Sequence, residues 1–145
     1  MTGHPLRITV VGCGRLGSLL AERLSRAGHD VVAVDSDASS FDRLPASFGG
    51  FRVAGDATEL EVLRRARVEG ADVVVATTRD DNVNLFVTQA ATKLLGARHA
   101  IARVFEPSRE STYRALGVET VCPTVLAAGV FIDCVSGAGG ARKGA

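Results

Sequence analysis

Three glycines at fixed spacing, Gly12, Gly14 and Gly17, and an acid that follows them, Asp35, offer the first recognisable chemistry in the chain. The stretch Val10-Val11-Gly12-Cys13-Gly14-Arg15-Leu16-Gly17 reads as a buried strand that ends in a glycine turn and opens a helix. Gly12 allows a sharp turn, Gly14 has no Cβ to hold off a pyrophosphate, and Gly17 lets the new helix pack closely on the sheet. The amides of that helix's first turn, with its dipole, make an anion site. Arg15 adds a charged fork suited to phosphate oxygens. Asp35 lies 18 residues past Gly17, near the ~20 expected for a carboxylate that bonds an adenosine ribose. Cys13 sits in the same loop. Either the helix N-terminus lowers its thiol pKa, or it is simply a small residue at a free position of the motif.

Positioning these groups requires an alternation of strands and helices. Residues 7–11 are β-rich, Leu16, Leu19, Leu20 and Leu24 mark one helical face, and Gly28 closes that helix. Residues 29–34 form a second β-run, followed by Ser36 and a polar stretch able to cap a short helix that Pro45 interrupts. A third strand over 51–54 ends in Gly55-Asp56-Ala57-Thr58, where Thr58 and Glu61 have the spacing of a capping box for a helix reaching about Arg67. Residues 71–76 are the clearest buried strand and end in Thr77-Thr78, small hydroxyls at which a ligand edge fits. Asp80, Asp81 and Asn82 start a helix in which Val83, Phe86, Val87, Ala90, Ala91 and Leu94 have helical spacing, closed by Gly96. A fifth strand over 100–105 carries Arg103, a helix from Pro107 ends at Gly117, and a sixth strand covers 118–121. Six alternations predict an α/β fold with a doubly wound parallel sheet covered on both faces. Ligands in such sheets bind beyond the carboxyl ends of the strands, where the 12–17 loop, Asp35, Asp56, Thr77, Thr78 and Arg103 fall. A charge in an apolar strand is costly unless paired, so Arg103 serves either a ligand phosphate or a carboxylate such as Asp81.

The last apolar run predicts a helix over 124–135 whose large residues cover nearly its whole circumference. A helix apolar all round is buried on more than one side, so it is expected to pack on a second subunit. The 145 residues suit one domain, and a 46% apolar composition excludes a disordered chain. A net charge of +1 argues against a nucleic-acid surface. Arg64, Arg65 and Arg67 have Glu59, Glu61 and Glu69 around them and read as a solvated face. No apolar run reaches the ~18 residues of a membrane span. Cys13, Cys122 and Cys134 lack metal-ligand spacing and fit a reducing cytoplasm.

Together the glycine loop, Val34-Asp35, Gly55-Asp56-Ala57-Thr58, Ala76-Thr77-Thr78, Asp80-Asp81-Asn82-Val83-Asn84, Ile101-Ala102-Arg103 and Leu116-Gly117-Val118 resemble the TrkA-N domain, the N-terminal RCK (KTN) domain of potassium-transport regulators. The resemblance covers about 6–135, leaving 136–145 as a flexible tail. It implies a six-stranded Rossmann-type sheet with a C-terminal crossover helix used in dimer assembly. It also implies a homodimer, often within an octameric ring, on the cytoplasmic face of a membrane potassium transporter or channel, binding NAD(H) or ATP, ADP or AMP. By that likeness Gly12, Cys13, Gly14, Arg15, Leu16 and Gly17 hold phosphates, Asp35 takes the adenosine ribose, and Ser36 is a further nucleotide-binding residue. Asp56 and Ala57 lie by adenine, Thr77 and Thr78 line the middle, and Arg103 meets a phosphate or the ligand's far end. Many members carry a following C-terminal RCK domain, for which this chain has no room. The competing expectation is a nicotinamide-dependent oxidoreductase or a fragment of one. It finds little support, since Tyr113 has no Lys four residues on and no His falls at a strand's carboxyl end.

Overall fold

Six strands alternate with helices in a computed structural model that describes residues 3–137. The strands are β1 (Arg7–Val11), β2 (Asp30–Asp35), β3 (Phe51–Ala54), β4 (Val73–Ala76), β5 (Ala100–Arg103) and β6 (Glu119–Val121). The α-helices are α1 (Arg15–Arg26), α2 (Leu60–Arg65), α3 (Asp81–Lys93), α4 (Glu110–Ala115) and α5 (Pro123–Val135). Short 3-10 turns, Ala38–Arg43 and Pro107–Arg109, precede β3 and α4. Residues 138–145 of the expected tail lie outside the described residues.

All pairings are parallel, in the order β3-β2-β1-β4-β5-β6. The Rossmann-type sheet expected from the alternation is therefore present. The chain moves outward from β1 in one direction and from β4 in the other, so the crevice between their carboxyl ends is the topological switch point. The period-2 alternation of a strand explains the double covering. Ile8, Val10, Val31 and Ala33 enter one apolar cluster, and Val11, Val32, Val34, Val74 and Ala76 enter the other. Thr9 points a hydroxyl into this interior and donates it to the Ala66 carbonyl at 2.9 Å.

The leucine stripe expected to bury α1 is only partly inside: Leu16, Leu20 and Leu24 are half-buried and Leu19 is exposed. The buried face is Gly17, Ser18 and Ala21, because the helix lies too close to the sheet for larger side chains. Phe86 in α3 and Leu94 just after it are exposed, and Asn84 and Thr88 take inward places in the helix. The capping box at Thr58 does not form. Both the Thr58 N–H and its hydroxyl donate to Asp56 Oδ1, at 2.9 and 2.7 Å, so α2 begins later and ends by Arg65. The last helix, α5, has no buried residue: Leu126, Phe131, Ile132 and Val135 are all more than 60% exposed.

Candidate functional site

A cleft of about 980 Å³ opens beyond the carboxyl ends of β1 to β5, and every sequence-predicted site residue lines it except Cys13 and Gly17. Those two lie beneath it. Gly17 is a packing residue: a Cβ there would stand 1.8 Å from the Gly12 carbonyl oxygen. Gly12 has φ +98°, and a Cβ on it would meet the Thr77 and Thr78 backbone at 2.9 Å. Gly14 is different. It is the N-cap of α1, no side chain caps that helix, and nothing lies within 4 Å of where its Cβ would be.

Cys13 is buried in the apolar cluster with Ile8 and Val10. Burial, then the nearby Asp35 carboxylate, pushes its thiol pKa up, so of the two readings open from sequence the small residue at a free position holds. Its backbone N–H donates to Asp35 Oδ2 at 2.8 Å, while Asp35 Oδ1 accepts from the Asp37 N–H at 2.9 Å. Asp35 thus ties the glycine loop to the end of β2 and has a fixed orientation at the cleft wall. Asp56 is held by Thr58, and Asp37 by Ser39, and these hydrogen bonds keep both carboxyls below the usual range.

Both threonine hydroxyls are engaged within the chain. Thr77 Oγ1 lies 3.0 Å from the Val11 carbonyl and 3.1 Å from that of Gly12, so it braces the glycine loop. Thr78 donates its hydroxyl to Asn84 Oδ1 at 2.7 Å. Arg103 is the least satisfied group. Its Nη1 is 3.5 Å from the Thr77 carbonyl, its guanidinium carbon lies 4.0 Å from the Phe105 ring centroid, and its buried Nε has no partner. Burial and then the charge of Arg79 lower its pKa, with Asp81 opposing. Of the two partners weighed from sequence, Asp81 is committed elsewhere. It accepts from the Phe105 N–H at 2.7 Å and the Glu106 N–H at 3.1 Å, and it pairs with Arg109 at 3.4 Å.

The cleft also contains Arg43, Arg79 and Phe105, which the sequence reading did not single out. Arg79 was legible by adjacency to Thr78; Arg43 reaches the site only through the turn after β2, and no local signal marks it. Charges of both signs line both sides: Asp35, Asp37, Arg43 and Asp56 stand at the β2–β3 side, and Arg79, Asp80 and Arg103 at the β4–β5 side. Among the described residues no group of three side chains could hold a metal ion, and no helix is long and apolar enough to cross a membrane.

A family model described as the TrkA-N domain matches residues 8–124. The Trk system potassium uptake protein TrkA of Streptomyces coelicolor is 40% identical over 116 residues, which cover 80% of this chain and 52% of that protein. The chain therefore spans about half the length of that relative. Among solved structures, the GsuK RCK domain superposes with a TM-score of 0.77 at 27% identity, covering 92% of this chain and 29% of that one. The GsuK channel bound to NAD has a TM-score of 0.67 at 24% identity, covering 83% and 22%, and the same protein has been solved bound to ADP.

Proposed function

The chain belongs to the TrkA-N domain family, and from that premise we propose that it is a nucleotide-sensing regulatory domain or subunit of a potassium transporter or channel. The observation that carries the nucleotide reading is Gly14: helix α1 opens onto the cleft with no side-chain cap and with free space where a Cβ would stand. That arrangement suits a pyrophosphate. In this reading Gly12, Gly14, Leu16 and Arg15 hold the phosphates, with Cys13 and Gly17 shaping the loop from below. Asp35 takes the ribose hydroxyls beside Ser36, Asp56 and Ala57 flank adenine, Thr78 lines the middle, and Arg103 meets the far end. NAD(H), ATP, ADP and AMP all carry the free 2′-hydroxyl that Asp35 favours.

The ligand acts by differential affinity for two arrangements of an assembly, not by chemistry. The engaged state of the polar groups supports this over an oxidoreductase. The threonine hydroxyls, Asp35 and Asp56 all bond main chain or neighbouring side chains, so these four groups are held for structure and guanidiniums and amides are left to bind a ligand. The naked α5 supports assembly as a homodimer, from which larger rings are built, at the inner face of the membrane beside the pore-forming subunit. Mass spectrometry of small molecules released on denaturing the purified chain tests the reading. An adenine nucleotide at near-stoichiometric yield, ranked against its competitors by calorimetry, is the expected result. No nucleotide released and none bound on titration overturns it, and steady NADH turnover with a small substrate overturns the regulatory role.

A further inference from the structure

Asn84 lies one turn into α3 and is completely buried. Its side-chain amide makes four hydrogen bonds. Oδ1 accepts from the Thr78 N–H at 2.9 Å and the Thr78 hydroxyl at 2.7 Å, and Nδ2 donates to the carbonyls of Thr78 and Arg103, both at 3.0 Å. One planar group therefore fastens the carboxyl end of β4 to that of β5. Only an amide side chain donates twice and accepts twice in this way. A helix interior would be served better by an apolar residue, so a buried, fully bonded Asn here points to a demand for fixed geometry.

What it fixes is the far wall of the cleft. Thr78 and Arg103 both line that wall. The Arg103 main chain is held by Asn84, and the Phe105 N–H is held by Asp81, three residues earlier on the same helix. Between these two anchors the guanidinium lies over the Phe105 ring with its Nε unbonded. We infer that Asn84 is the positioning residue for the far end of the nucleotide: by clamping Thr78 and Arg103 together it holds the Arg103 guanidinium where the group beyond the first phosphate must bind. The inference rests on the nucleotide reading above.

The test is calorimetry of the 145-residue chain with AMP, ADP and NADH, on the unaltered protein, Asn84→Asp, Arg103→Ala and the double variant. In Asn84→Asp an oxygen replaces the donor that faced two carbonyls. Affinity for ADP and NADH falls about tenfold while AMP, which ends at its first phosphate, changes less than about twofold. In the Arg103→Ala background Asn84→Asp produces no further loss, because its effect passes through Arg103. If Asn84→Asp does not fold by circular dichroism, Asn84→Ser, too short to reach both strands, takes its place. Equal losses for AMP and NADH, additive losses in the double variant, or unchanged binding overturn the inference alone. No binding of any nucleotide by the unaltered chain overturns the nucleotide reading and the inference with it.

Discussion

Two glycines of one loop separate stability from binding. In Gly17→Ala the new methyl would stand 1.8 Å from the Gly12 carbonyl oxygen, 2.7 Å from Thr77 Oγ1 and 2.8 Å from the Gly12 carbonyl carbon. Two of those three neighbours are backbone, and Thr77 is itself bonded to the same loop, so no flexible side chain can yield. Helix and loop must separate by about 1.6 Å to reach ordinary contact. Overpacking of this kind costs up to ~3 kcal/mol, which for a chain of this length lowers the Tm by about 10 °C. Gly14→Ser is the contrast. The site is open, its φ of −80° suits any residue, and Ser is a preferred N-cap, so stability is unchanged or slightly raised. Its side chain would occupy the approach of a pyrophosphate, so nucleotide affinity falls tenfold or more, about 1.4 kcal/mol. Thermal melting by circular dichroism and calorimetric titration read both. A Gly17→Ala variant melting within about 2 °C of the parent, or a Gly14→Ser variant with unchanged affinity, would refute the reasoning.

Asp35 sets a preference for the unphosphorylated ribose: NADH binds at least about tenfold tighter than NADPH, and Asp35→Asn narrows that gap. Equal affinity of the unaltered chain for both cofactors contradicts the assignment. Phe131 is 72% exposed on α5, and Phe131→Asp converts dimers to monomers by light scattering; an unchanged mass removes α5 from the interface. Because burial raises the Cys13 thiol pKa, that thiol stays protonated at neutral pH, and in the Phe131→Asp monomer, where α5 is uncovered, the exposed Cys134 is alkylated by iodoacetamide well before Cys13. Peptide mapping in which Cys13 reacts as fast as Cys134 would show that the loop opens in solution.

The parallel six-stranded sheet and the place of the cleft were legible because strands alternate with helices and each strand end carries its own signal: glycines after β1, an acid at β2, Gly55-Asp56 after β3, paired threonines after β4. Side-chain direction was less legible. Thr77 and Thr78 look equally exposed in sequence, yet Thr77 lies against the β1 loop and spends its hydroxyl there. Asp81 reads as a helix cap, but Asp80 makes the cap and Asp81 turns inward to β5. Asn84 interrupts the apolar stripe of α3, which was a visible signal. What could not be read was the pair of carbonyls it meets, one of them 19 positions away.

The same logic separates the sheet from the last helix. Every polar intrusion into the sheet finds a partner within the chain: Thr9 the end of α2, Thr88 its own helix, Asn84 two strand ends. Arg103 Nε and Tyr113 Oη are the buried side-chain exceptions among the described residues. Arg103 lines the cleft, but its Nε is covered, so a ligand acceptor would meet the guanidinium's outer nitrogens. Exposed apolar side chains are densest on α5, where Leu126, Phe131, Ile132 and Val135 are each more than 60% exposed. A contiguous apolar face is normally covered by another molecule. Among the described residues the cleft and α5 are the two surfaces on which the proposed nucleotide sensing and assembly would depend.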